Sequence, residues 1–230
     1  MGTYREAIYM ILDLFKDRSD DSNFNEDHIL YLLDKYRAYV LKGKYDSART
    51  IDLSETNYQT ITLHLEDYYP LEGASELGKY LRSTEKIPVP LNEIPVRVYA
   101  ADYFQGEIYL VPRNRFKYVG RNEYLKNIIY CSIGDDGKLY LKSCNPQVYY
   151  LEQVNVRGIF ESASEASKLA SIDAQCDILD MSFPLQEDLF ALVMDYIVKE
   201  LSSSNYRPED IVNNAKDDMS GLAVRGDNSK

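Results

Sequence analysis

Apolar residues recur at helical spacing toward both ends of this chain and alternate at strand spacing between them. Thr3 followed by Glu6 has the form of a capping box, so a helix is predicted to start there. Its apolar positions Ile8, Ile11, Leu12 and Phe15 step by three and four, one face of a helix. Ser19-Asp20-Asp21-Ser22 breaks it. Asn25 offers a second N-cap, and Ile29, Leu32, Leu33, Tyr36 and Val40 repeat the stripe until Gly43 is expected to stop it. Two amphipathic helices on a tight connection predict an antiparallel hairpin.

From about residue 50 the period changes. Thr60 to Leu65 alternates with period two, which suits a strand with one buried face. Pro70, Gly73, Gly78, Pro88, Pro90 and Pro95 predict loops over 70–95, with one helical turn near Glu76 to Leu81. Strands are predicted at Val96 to Ala100, Glu107 to Val111, Asn127 to Ile133, Lys138 to Lys142 and Gln153 to Ile159. Gly134-Asp135-Asp136-Gly137 joins two of them as a hairpin, because Asp and Gly readily supply positive φ angles. The middle is therefore an antiparallel β region of five or six short strands.

Helical spacing then returns. Ser162 and Glu165 form a second capping box, opening a short helix through Leu169 and Ala170. Pro184 suits a first helical position, and the helix should run to about Leu201 with the stripe Leu185, Leu189, Leu192, Val193, Tyr196, Ile197 and Leu201. Pro208 starts one more helix, with Ile211, Ala215 and Met219 inward, and Gly221 to Lys230 is a polar tail. The expected class is α+β: a bundle of N- and C-terminal helices with an inserted antiparallel β region. Residues 1–44 and 177–220 would form the bundle, 50–161 the inserted β lobe and 221–230 the tail, all within a single domain. Neither terminal stripe buries itself alone, so residues of Ile8 to Val40 should touch residues of Leu185 to Leu201, and Leu192→Asp should cost several kcal/mol.

Composition narrows the function. At 45% hydrophobic and 27% charged, the chain has globular content. Thirty-seven acidic and twenty-six basic residues leave a net charge of −11, which argues against duplex DNA as a direct high-affinity ligand. The excess sits at the ends: residues 1–70 carry net −5, 71–176 zero and 177–230 −6. No apolar run approaches the roughly 20 residues of a membrane span, and Ile8 to Leu12 is too short for a signal-peptide core. Cys131, Cys144 and Cys176 cannot all pair, which favours a reducing compartment over a disulfide scaffold.

Few residue patterns in the chain point to chemistry. Cys131 and Cys144 have no cysteine two to four positions away, so no zinc half-site exists, and Cys131 is expected as a small buried hydrophobe in a strand. Asp135-Asp136 lacks the calcium-loop pattern around it and is expected as a solvated turn. No nucleophile elbow or phosphate loop occurs. His28 and His64 are expected as partly buried structural residues, and pairs such as Asp20-Asp21 and Asp217-Asp218 as solvated charge. The chain is thus expected to have no catalytic residue, no cofactor and no metal.

Two features stand above this background. Arg113, Arg115, Lys117, Arg121 and Lys126 include a single acid, Glu123, and are interleaved with Phe116, Tyr118 and Tyr124. Such a stretch can track a nucleic-acid backbone or dock an acidic neighbour; the net charge favours the protein contact. The second is tyrosine: twenty-one residues and no tryptophan, a composition suited to interfaces where the ring buries area and the hydroxyl stays satisfied. The apolar face of the last predicted helix is thin and gives little area for an independent helix, which implies docking on a partner. Tyr206, Pro208, Asp210, Asn213, Asn214, Asp217 and Asp218 are expected at an inter-protein contact within Asn205 to Lys230.

The order of segments resembles a family of virion structural proteins from crAss-like bacteriophages. Tyr4 to Lys16, Ser19 to Ser22, Glu26 to Leu41 ending in Lys35 to Leu41, Asn57 to Ile61, Tyr118 to Gly120 with Asn127 to Tyr130, and Leu139 to Ser143 with Asn145 to Gln147 carry it. So do Phe183 to Leu189, Tyr206 to Ile211 and Asn213 to Asp218. The resemblance implies a ring-forming head–tail connector protein of a short-tailed phage. It implies a homo-oligomeric ring, commonly dodecameric, that meets the portal and other ring or tail proteins and passes DNA through its channel. It also implies a place in the virion after assembly in the host cytoplasm, and no membrane contact. An acidic helical face suits such a channel, repelling sliding DNA. The alternative is a phage nucleic-acid-binding accessory protein using residues 113–126.

Overall fold

The computed structural model describes residues 2–16, 25–47, 54–69, 80–91, 96–100, 107–120, 122–125, 127–170 and 177–202. The expected helix from Pro208, the polar tail, Arg121, Lys126 and Cys176 lie outside the described residues.

Helix α1 (Tyr4–Lys16) begins where the capping box places it: the Glu6 amide donates to Thr3 Oγ1 at 3.2 Å and the Thr3 amide donates to Glu6 Oε2 at 3.0 Å. Asn25 caps helix α2 (Glu26–Ser47), accepting from the Asp27 amide. The expected stop at Gly43 fails, and α2 continues to Ser47. A Cβ at Gly43 would meet nothing within 4 Å, so this glycine sits in the helix without a geometric demand, and its propensity cost of about 1 kcal/mol is too small to end it.

Seven strands follow: β1 (Gln59–Tyr68), β2 (Tyr80–Ser83), β3 (Arg97–Ala100), β4 (Glu107–Leu110), β5 (Tyr130–Ile133), β6 (Leu139–Lys142) and β7 (Gln153–Gly158). They close into a barrel in the order β1-β2-β6-β5-β4-β3-β7. This corrects the expected antiparallel region twice. The sheet closes on itself, which leaves it without edges, and β4 runs parallel to β5, with Tyr109 opposite Tyr130. Strand β2 replaces the end of the helical turn expected near Glu76 to Leu81. Tyr80 and Leu81 are buried there, and Leu81 pairs with Leu141 on one side while Asp67 faces it on the other. The hairpin between β5 and β6 forms as expected: the Gly134 amide donates to the Lys138 carbonyl, and Gly137 holds φ at 76°.

Short helix α3 (Arg113–Phe116) follows β4, α4 (Ala163–Ala170) follows β7, and α5 (Glu187–Leu201) ends the described chain. Ser162 caps α4 through the Glu165 amide. The α5 start corrects the reading of Pro184: the cap position is Gln186, and Pro184 lies in the approach.

Two main cores result. Ile8 and Ile11 of α1, Ile29, Leu33 and Leu41 of α2, and Leu189, Val193 and Ile197 of α5 share one apolar cluster, so residues of Ile8 to Val40 pack with residues of Leu185 to Leu201 as expected. Ile61, Leu63, Val154, Val156, Cys131 and Leu141 fill the barrel. Helix α4 belongs to both, with Ala163 in the helical core and Ala166 in the barrel core. The start of the chain is also tied to the α5 approach, since the Tyr4 amide donates to Met181 and the Phe183 amide donates to Gly2.

Candidate functional site

Three places hold polar or aromatic groups in arrangements that need explanation. The first is buried. Arg37 lies on the inward face of α2, four residues from Leu33 and four from Leu41, and has no solvent exposure. Its Nε donates to the Pro184 carbonyl at 2.8 Å, Nη1 to Phe160 at 2.9 Å and Nη2 to Asn57 at 3.1 Å. One guanidinium thus holds the approach to β1, the exit from β7 and the approach to α5. A planar fork of donors is the side chain that can do this. Burial pushes its pKa down to about 10. One turn earlier, Asp34 accepts from the Ser162 and Ser164 hydroxyls and the Ser164 amide, so the same helix also caps α4. Sequence reasoning did not single out this pair. The available signal was a charged residue standing within an apolar stripe.

The second place is α3 and the turn after it. Phe116 is fully buried against Tyr80, so it belongs to the core and not to a docking surface. Arg113 is half-buried, its guanidinium 4.5 Å from the Tyr140 ring centroid and 5.6 Å from that of Phe116. Arg115 is exposed, and the Lys117 ammonium stands 4.9 Å from the ring of Tyr118, itself 70% exposed. Tyr124 is 97% exposed. The structure brings Arg115, Lys117 and Tyr118 to one surface and turns Arg113 toward the barrel. Tyr206, Pro208, Asp210, Asn213, Asn214, Asp217 and Asp218 lie outside the described residues, as does Arg121.

The third place is the helical surface. The Tyr36 and Tyr196 rings stack across α2 and α5 at 5.6 Å, Tyr39 meets Tyr196 edge-on, and the Tyr36 hydroxyl donates to Glu200, which also pairs with Lys35. Leu192 is 49% exposed beside them, which corrects its placement in the buried stripe: the inward face of α5 runs through Leu189, Val193, Ile197 and Leu201. A separate groove lies between α1 and the start of α5, lined by Met10, Phe183, Leu185 and Phe190 with Glu6 and Glu187 at its rims.

Cys131 is buried in the barrel as expected, and burial pushes its thiol up to about 12. His64 departs from expectation: it is exposed, with Nδ1 3.0 Å from Glu85 Oε1, while His28 is half-buried. Asp135 and Asp136 are exposed in the hairpin turn, Asp136 accepting from the Tyr140 hydroxyl. Among the described residues no three His, Cys, Asp or Glu side chains gather as metal ligands would, and no helix is long and apolar enough to cross a membrane.

Residues 6–219 match the model of a family described as phage tail ring protein 2. A relative named Ring protein 2, from Bacteroides phage crAss001, is 43% identical over 221 residues, covering 94% of this chain and 98% of that relative.

Proposed function

The chain belongs to the phage tail ring protein 2 family of crAss-like bacteriophages, and from that premise we propose that it is a structural, non-catalytic subunit of a closed ring in the head–tail connector of a short-tailed phage. The agreement with a ring protein carries this reading: 94% of the chain aligns with 98% of the relative, so the relationship covers nearly all of both sequences. The exposed aromatic and apolar groups on α2 and α5, Tyr31, Tyr39 and Leu192 among them, support it, because a subunit built for assembly carries such groups where neighbours cover them.

In detail, the ring is a homo-oligomer of twelve copies, stacked between the portal and other ring or tail proteins. The helical bundle and the barrel act as two lobes of one domain joined at Arg37. The acidic helical ends face the channel and let DNA pass without gripping it. The protein resides in the virion after assembly in the host cytoplasm. The stretch from Asn205 to Lys230 docks on the portal or a neighbouring ring, so deleting residues 205–230 should leave folding near normal and abolish incorporation.

Electron microscopy of purified particles together with native mass measurement of the isolated chain tests the proposal. The expected result is the chain in the particle and a ring of uniform symmetry. A strict monomer absent from particles overturns it. Tight binding of oligonucleotides by that monomer at physiological salt would instead favour the accessory-protein alternative built on residues 113–126.

A further inference from the structure

We propose that the groove between α1 and α5 receives the Arg115–Tyr118 turn of a second copy of this chain, making the subunit-to-subunit contact that propagates the assembly. This rests on the ring reading above. A ring of identical subunits joined head to tail needs two different surfaces that fit each other, since a self-complementary patch yields only pairs. The described surface supplies two such patches on different lobes.

The groove is apolar with acidic rims. Of its lining, Phe183 and Leu185 are buried, Phe190 is half-buried and Met10 is 53% exposed. Glu6 and Glu187 flank it, and no basic side chain lines it. Asp13, one turn beyond Met10 on α1, is also exposed. Such a surface favours a partner that brings hydrocarbon or an aromatic ring with positive charge attached.

The turn after α3 offers that chemistry. In a chain of net charge −11, Arg113 to Lys126 holds five basic residues and one acid. Arg115 is exposed, and Lys117 and the exposed Tyr118 form a cation–ring pair at 4.9 Å that presents apolar surface and charge together. Among the described residues neither Arg115 nor Lys117 has a carboxylate partner, and Glu187 has no cationic one. The turn is anchored by Phe116, buried beside Tyr80 and Tyr140, so it meets a partner already positioned, with little ordering cost. The groove belongs to the helical core cluster and the turn to the cluster around Phe116.

Two measurements on the full chain test this. In the first, Met10→Cys and Tyr118→Cys are combined and treated with a short bismaleimide. A ladder of covalent multimers is expected, whereas each single variant, the control for the native cysteines, gives no more than dimers. In the second, Arg115→Glu should weaken assembly about tenfold by light scattering, and adding Glu187→Lys to it should recover most of the loss. A double-cysteine chain that yields only monomers or dimers overturns the contact. So does an Arg115→Glu chain that assembles normally, including one that merely loses oligonucleotide binding. If wild-type rings form and these tests fail, the contact is wrong and the ring reading stands. If the ladder forms but the product is an open filament, the contact stands and the closed ring is wrong.

Discussion

Arg37 of α2 donates from Nη1 to the backbone carbonyl of Phe160, 2.9 Å away and 123 positions along the chain, at the point where β7 has ended and the chain turns toward α4. With its bonds to Pro184 and Asn57, the contact makes one side chain the junction between helical bundle and barrel. Arg37→Met keeps much of the volume but leaves three buried carbonyls without their donor. The expected cost is about 3–5 kcal/mol in urea unfolding. Arg37→Lys should recover little of it, because a single ammonium lacks the planar fork that spans three acceptors.

The two faces of α5 separate cleanly. Val193→Asp should cost more than about 4 kcal/mol, since Val193 is fully buried in the apolar cluster that α5 shares with α1 and α2. Leu192→Asp should stay within about 1 kcal/mol in the isolated chain, because Leu192 is half open to solvent. Equal destabilisation of the two variants in thermal melts would contradict the packing described.

Acid sensitivity should trace in part to Glu200. The Tyr36 hydroxyl, then Lys35, hold its carboxyl below the ordinary value of 4.5. A depressed carboxylate pKa contributes stability that is complete above the unfolded value and lost as pH falls through the folded one. Stability should therefore decline below about pH 4.5 more steeply in the wild type than in Tyr36→Phe. Melting curves across that window measure the difference, and identical slopes would show that the contact does not hold the carboxylate.

Gly137 is needed for its backbone. At φ 76° it occupies the left-handed region in the β5–β6 turn, where a Cβ would find room but strain the chain. Gly137→Val should cost about 1–2 kcal/mol and Gly137→Asn less, since asparagine tolerates this region. Chemical denaturation of the two variants checks the order.

What the sequence determined by itself is local. The Thr3–Glu6 box, the Asn25 and Ser162 caps and the turn from Gly134 to Gly137 depend on groups within four residues of one another, and all four formed as expected. The terminal stripes also met, because helices with one apolar face must share it. The basic turn was visible as composition, but composition could not say that Phe116 and Arg113 face the barrel while Arg115 and Tyr118 are exposed. Tertiary structure alone decided the rest. Barrel closure, the parallel β4–β5 pair and strand β2 arise from backbone bonds between distant segments, which short runs such as Tyr80–Ser83 do not encode in any period. The burial of Arg37 follows the same logic. Its charge reads as surface until three carbonyls from three separate segments converge on it, and only the folded chain brings them there.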